Sequence, residues 1–309
     1  MTHSVSDNVP AGSVASRLVI GTVQFGMPYG ATNTRGQVSS HEVAAILHCA
    51  HEAGVRLVDT AAGYGTSEAV LGGVLPDYSA IDVVTKLPPF PGSAVAAADV
   101  TEMRDRLLRS LDLLRRSKIY GLLLHHSDDL FKPGGERVVE LLDDLRRDGL
   151  AERVGVSVYD TEDIDRILKA FRPDIVQMPI NLFDQRFVQS GHVGRLHRAG
   201  IEVHARSIFL QGILLTETSS LPRYFQPFAK QFTNYSNFIG ERGITRLVAC
   251  LSFIIEQSGA DHVLIGMTSV DELDQILRSL SQSVALPPMG KLASNEPALI
   301  DPRRWRLVP

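Results

Sequence analysis

Short apolar runs alternating with longer amphipathic stretches limit this chain to few folds. Runs of strand length fall at Arg17 to Thr22, Leu57-Val58, Ile81 to Thr85, Ile119 to Leu124, Arg153 to Val156, Ile175 to Gln177, Ile201 to Ala205 and Val263 to Ile265. Between them apolar residues recur at three and four spacing, as in Met103, Leu107, Leu108, Leu111 and Leu114, or Leu273, Ile276, Leu277 and Leu280. That spacing lays one apolar stripe along a helix. Repeated β-then-α units build a parallel sheet, because a parallel neighbour is reached only by a crossover connection. Eight such units predict a closed (β/α)8 TIM barrel. A doubly wound sheet would carry G-x-G-x-x-G after its first strand. None stands there; Gly63-Tyr64-Gly65 follows the second run and lacks a third glycine ahead of a helix.

Ser40 and Thr161 read as helix N-caps, and Gly54, Gly149 and Gly200 as helix stops. The stretch 212–242 reads as a long loop after strand 7, carrying Tyr224, Phe225, Phe228, Phe232, Tyr235 and Phe238. Residues 286–309, rich in proline, read as a C-terminal arm packed on the barrel by Trp305. Residues 1–16 are polar and small, without the basic and apolar segments of a secretory signal, and read as a flexible tail. The expected organisation is one barrel domain over 17–309.

A chain that is 44% hydrophobic and 21% charged can bury a large core. Its net charge of -4 argues against a nucleic-acid partner and for a small molecule. No run reaches the roughly 18 apolar residues of a membrane span. Cys49 and Cys250 are too few for a disulfide framework, which places the chain in a reducing cytoplasm. Oligomeric state is not legible.

In a (β/α)8 barrel the C-terminal strand ends face the active site. Asp59 follows Leu57-Val58, Lys86 follows Val83-Val84-Thr85, and His125 follows Leu122-Leu123-Leu124; Tyr64 lies in the loop after Asp59. A carboxylate, an ammonium, an imidazole and a phenol at one mouth suit proton transfer at a carbonyl oxygen. Of the adjacent pair His125 and His126 only one can enter the site, since neighbours on a strand point to opposite faces; His125 is the choice. No metal is expected: adjacent histidines with Asp128-Asp129 make a poor ion site, and no i,i+4 histidine pair is evident.

These residues resemble the aldo-keto reductases. The resemblance runs from Leu18 to about Leu280 and rests on Ile20-Gly21-Thr22, Asp59-Thr60-Ala61-Ala62-Gly63-Tyr64-Gly65, Val84-Thr85-Lys86, His125, Gly155-Val156-Ser157, Gln177 with Asn181, and Ile265-Gly266. It implies NAD(P)H-dependent reduction of an aldehyde or ketone, including a sugar or keto-sugar. Tyr64 would be the general acid, Lys86 would lower its pKa, Asp59 would hold Lys86 charged, and His125 would orient the carbonyl. It further implies cofactor contacts from Gly21, Thr22, Asp59, Ser157, Gln177, Asn181, Arg206, Ser207, Gly212, Gly266, Thr268 and Ser269. Arg206 stands where the family usually places an aromatic ring against the nicotinamide.

NADP(H) is favoured over NAD(H) by the family's habit, although the basic residue near Thr268 and the asparagine near Ile276 of NADP-selective members are absent; Arg278 is the candidate substitute. Phe25 and Phe90 are the expected substrate wall. Two other classes compete: a Schiff-base barrel lyase using Lys86, and a non-catalytic cofactor-binding accessory subunit.

Overall fold

The structure, a computed structural model, describes residues 14–282 and 285–307. Strands β1 (Leu18–Gly21), β2 (Leu57–Asp59), β3 (Asp82–Leu87), β4 (Ile119–Leu124), β5 (Ala151–Ser157), β6 (Ile175–Pro179), β7 (Glu202–Arg206) and β8 (His262–Gly266) pair in sequence order and close into a barrel. All neighbours are parallel, and β1 pairs with β8 to complete the ring. The expected (β/α)8 TIM barrel is therefore the fold.

Its sides alternate with the period of two that strands impose. Val19, Leu57, Val84, Leu123, Ile175 and Leu264 pack together in the barrel interior. Gly121 and Gly155 share that interior because no Cβ fits: at Gly155 it would lie 2.0 Å from the Ile175 carbonyl oxygen, and at Gly121 2.9 Å from the Ile175 side chain. A larger, separate core fills the layer between strands and outer helices. Two residues beyond each interior apolar group lie Gly21, Asp59, Lys86, His125, Gln177 and Gly266, so the same parity that fills the barrel delivers these residues to its C-terminal mouth.

The helix stops fall as expected: Gly54, Gly149 and Gly200 have φ of 87°, 73° and 70°, a left-handed conformation that glycine adopts without Cβ strain. Both N-caps lie one residue earlier than expected. Ser39 rather than Ser40 accepts the Glu42 N–H at 3.3 Å, and Asp160 rather than Thr161 flanks the helix Thr161–Ala170.

The expected loop 212–242 contains a helix, Ala229–Gly240, preceded by 3-10 turns. Its aromatic residues close it onto the barrel and the arm: Phe232 meets Phe183 edge-on at 5.3 Å, and Phe225 meets Trp305 at 4.9 Å. At the other end Val14–Arg17 form a 3-10 turn, and the Arg17 guanidinium donates to the Ala260 carbonyl at 2.6 Å. The remainder of the expected tail, 1–13, lies outside the described residues. No helix among the described residues is long and apolar enough to cross a membrane.

Candidate active site

At the centre of the barrel mouth Lys86 donates to Asp59 Oδ1 at 2.5 Å and to the Thr60 carbonyl at 2.9 Å. Gln177 donates from Nε2 to the other carboxylate oxygen at 2.8 Å. Asp59 and Lys86 are 3% and 2% exposed, so neither charge is screened by water. Burial pulls the Lys86 ammonium below its ordinary pKa, and Asp59 opposes that pull. Asp59 ends β2, Lys86 is the penultimate residue of β3 and Gln177 lies two before the end of β6, and each strand extends further than its apolar run predicts.

Tyr64 stands above this pair, with Lys86 Nζ 5.2 Å from its ring centre. Its loop is held by two close backbone approaches. A Cβ on Gly26 would lie 1.8 Å from the Tyr64 carbonyl oxygen, and one on Gly65 would lie 2.4 Å from the Gly26 carbonyl oxygen. Below it, Ser67 Oγ donates to the Thr22 carbonyl and Thr22 Oγ1 to the Asp59 carbonyl, tying the loop to β1 and β2.

The phenol's pKa is raised, first by burial and then by the charge of Asp59, with Arg206 opposing. Lys86, expected to lower it, is not among the causes of this shift. The reason is geometric: the ammonium is spent on Asp59 and the Thr60 carbonyl and faces the tyrosine ring.

His125 meets Tyr64 edge-on, their ring centres 5.9 Å apart. Burial, Lys86, His126 and Arg206 lower its pKa to about 3, so its imidazole is neutral. His126 is exposed and outside the cavity, which makes His125 the histidine of the site.

A cavity of about 530 Å³ runs from these groups outward between the ends of β7, β8 and β1. Gly21, Thr22, Asp59, Tyr64, His125, Ser157, Gln177, Arg206, Ser207, Gly212, Gly266 and Thr268 line it, as the sequence reading expects. The other expected residues do not. Lys86 lies behind Asp59. Asn181 is buried and donates to the Ser207 carbonyl at 3.1 Å, which makes it a support for the loop after β7. Ser269 caps a helix by accepting the Glu272 N–H at 3.3 Å.

Phe25 and Phe90 correct the expected substrate wall. They are 0% and 2% exposed and belong to the core between strands and helices, because the turns after β1 and β3 direct them away from the mouth. Tyr29, Tyr159, Gln211 and Leu215 line the cavity instead. Their loops offered no strand-end signal, though Gln211 lies between the marked Ser207 and Gly212 and Leu215 within the stretch 212–242 read as a long loop.

Arg206 lies over the Tyr159 ring at 4.1 Å and donates to the Val158 carbonyl at 2.9 Å. Arg303 of the C-terminal arm stacks on the same ring at 3.7 Å. Among the described residues Arg206 bonds to the Val158 carbonyl and the Ser207 hydroxyl and to no carboxylate, so it is a fixed positive charge at the mouth.

The cavity fits a dinucleotide on several grounds. Its length joins the proton-bearing groups to the start of the helix after β8. Gln24 Oε1 is buried in its wall without a partner, and a Cβ on Gly266 would lie 2.8 Å from that oxygen, so the wall is both tight and short of a donor. Ser207, Leu210 and Gln211 hold φ of 60°, 48° and 53°, conformations costly for residues with a Cβ. Gly212 follows at φ 90°, and the Leu210 and Gly212 N–H groups already donate to the Ser207 and Phe209 carbonyls, each at 2.9 Å.

This barrel, with its rim of proton-handling groups, defines an oxidoreductase acting on carbonyls, and the chain belongs to the aldo/keto reductase family, whose model matches residues 17–287. Among curated proteins it is similar to the aldo-keto reductase YhdN of Bacillus subtilis (strain 168), 23% identical over 290 residues that cover 86% of this chain and 85% of YhdN. Among solved structures it is similar to the holo form of aldo-keto reductase AKR11C1 from Bacillus halodurans, with a TM-score of 0.70 and 17% identity over 94% of this chain and 95% of that one. It is also similar to PA4992 of Pseudomonas aeruginosa, with a TM-score of 0.64 and 21% identity over 87% of this chain and 91% of that one. The family uses nicotinamide cofactors and small-molecule carbonyl substrates.

Proposed function

We propose that this chain reduces an aldehyde or ketone, including a sugar or keto-sugar, to an alcohol in a reducing cytoplasm, with Tyr64 as the general acid. The observation that carries the reading is the meeting of a half-buried phenol, held protonated, with a neutral imidazole at the floor of one cavity.

A protonated phenol is the form that an acid requires. The Tyr64 hydroxyl gives its proton to the substrate oxygen as negative charge develops there. His125, neutral, donates a hydrogen bond to the same oxygen and orients it without adding a charge. The Asp59–Lys86 pair supplies a fixed polar environment beneath the reacting atoms, and burial strengthens its field.

A bound reduced nicotinamide supplies the hydride. Ser157 and Gln177 would hold its carboxamide: Gln177 spends Nε2 on Asp59, which leaves its Oε1 to accept from an amide. Ser207, Gln211, Gly212 and Gly266, which line the cavity, would lie against its phosphates, and Arg206 would lie against its ring as a flat cation.

A Schiff base on Lys86 loses support, because its ammonium is spent on Asp59 and lies off the cavity lining. The accessory-subunit reading is separated by Tyr64→Phe. The variant should bind NADH or NADPH as the parent does, while carbonyl reduction falls by about 10²- to 10⁴-fold, the usual contribution of a positioned acid. A parent protein that binds neither dinucleotide below millimolar concentration overturns the proposal, and one that binds but turns over nothing across a broad carbonyl panel leaves the accessory reading standing.

A further inference from the structure

At the outer end of the cavity the Thr268 donors, and the Val270 N–H beside them, are already taken by carboxylates. Glu272 accepts the Thr268 N–H at 2.6 Å and the Thr268 hydroxyl at 3.0 Å. Glu42, reaching over from the helix Ser40–Glu52, accepts the Val270 N–H at 2.8 Å. The first turn of the helix Val270–Ser281 carries Asp271 as well as Glu272 and no basic residue. The helix dipole that would draw an anion is thus answered by this chain's own acids.

Arg278, the candidate substitute for the missing cation, does not serve. Its side chain is 77% exposed, pairs with Asp274 at 3.4 Å, and is not part of the cavity wall.

We propose that Glu272, backed by Glu42, makes this chain selective for NAD(H) over NADP(H). The inference rests on the proposed nicotinamide dependence and reverses the preference that the family's habit implies. With the reacting end of the dinucleotide at Tyr64, its adenosine ribose falls at the far end of the cavity, where Thr268 and Glu272 form the wall. A carboxylate there accepts a hydrogen bond from a ribose 2′-hydroxyl, as the acidic residue of other dinucleotide sites does. It has lone pairs to spare after Thr268, since a carboxylate offers about four acceptor directions. A 2′-phosphate brings about two negative charges against the same group and offers it no proton.

Arg35 is the opposing feature. It lies on the exposed loop after β1 and lines the same cavity, and among the described residues its guanidinium has no carboxylate partner. Among the described residues that loop is tied across the cavity by Thr32 Oγ1 donating to the Gln211 carbonyl at 3.3 Å and by Gln211 Nε2 donating to the Tyr29 hydroxyl at 3.2 Å. Glu272, by contrast, is held at the helix start by both Thr268 bonds. The fixed charge therefore decides selectivity against the exposed one.

Equilibrium titration of the full-length protein with NADH and with NADPH, read by calorimetry, tests the proposal without any substrate. NADH should bind about tenfold tighter or more, in line with the cost of like charges at a binding surface. Glu272→Gln should narrow that ratio mainly by strengthening NADPH, and Glu42→Gln should narrow it less. Retained NADH binding by each variant shows that it is folded. Tighter binding of NADPH by the parent, or a ratio unchanged in both variants, overturns the proposal and leaves the reductase reading intact. NADPH binding lost in Arg35→Gln would hand the selectivity to that arginine. Binding of neither dinucleotide by the parent rejects the nicotinamide reading itself.

Discussion

Tyr64 and His125 meet edge to face across the barrel mouth, and burial acts on them in opposite numerical directions but to one end: both side chains stay neutral. Desolvation raises the phenol's pKa and lowers the imidazole's to about 3. Each shift disfavours the charged form. A pair of neutral donors can then face one substrate oxygen without a competing proton equilibrium near neutrality.

The consequence is a flat pH profile. For carbonyl reduction, kcat/KM should show no inflection from His125 between pH 5 and 8, because that ring takes a proton only near pH 3. The same profile should hold for His125→Gln at a lower plateau. Steady-state rates at saturating reduced cofactor would check this. An inflection near 6.5 in the parent that vanishes in His125→Gln would show a solvated, titrating imidazole and defeat the assignment.

Asp59 and Lys86 are a buried pair with few other partners, so each stabilises mainly by answering the other. Asp59→Asn leaves the Lys86 ammonium with the Thr60 carbonyl as its remaining strong acceptor. Removal of one partner from a buried pair costs about 3–5 kcal/mol. Lys86→Met should be costly for the mirror reason, since Asp59 would keep only the Gln177 amide. The double variant Asp59→Asn/Lys86→Met should lose less than the sum of the two, because it strands no charge. Urea unfolding of the four proteins measures the coupling, and strict additivity would mean that water already screens the pair.

The fold was legible because barrel strands and outer helices differ in period, and that difference survives in Leu57-Val58 as well as in the helix around Met103 and Leu107. Asp59, Lys86 and His125 were legible for the same reason: position at a strand end fixes both height and direction. The phenylalanines at 25 and 90 were misplaced because they follow strand ends, where the turn, and not the strand period, sets direction. The helix Ala229–Gly240 was hidden by Pro222, Pro227 and Asn234, although Phe225, Phe228, Phe232, Tyr235 and Ile239 keep three and four spacing. Glu42 at Val270 was beyond any local pattern, since closure of the barrel alone brings β1's helix beside that of β8.

Interior parity also carries polar groups to the opposite end of the barrel, where the last prediction lies. Glu202, His204 and His262 gather there, with ring centres of the two histidines 4.7 Å apart. Tyr120 donates to Glu202 at 2.9 Å, Arg153 is bonded to it, and the His204 ring Nε2 lies 3.3 Å from its Oε2. His204 is wholly buried, and burial pushes its pKa down to about 4; His262 falls to about 4 by burial and by the proximity of His204.

A histidine whose folded pKa lies below its unfolded value of about 6.5 favours the folded state while both forms are neutral. Stability is therefore full above about pH 6.5 and declines as pH falls toward 4, where the unfolded chain binds protons that the folded one refuses. For His204 the shift corresponds to about 3 kcal/mol. His262 adds less than its own shift, because the two are coupled. Urea midpoints followed by Trp305 fluorescence should fall steadily from pH 7 to pH 4.5 in the parent and more gently in His204→Gln, which keeps a polar side chain in the barrel but does not titrate. Equal slopes in the two proteins would place the acid sensitivity elsewhere and remove His204 as its source.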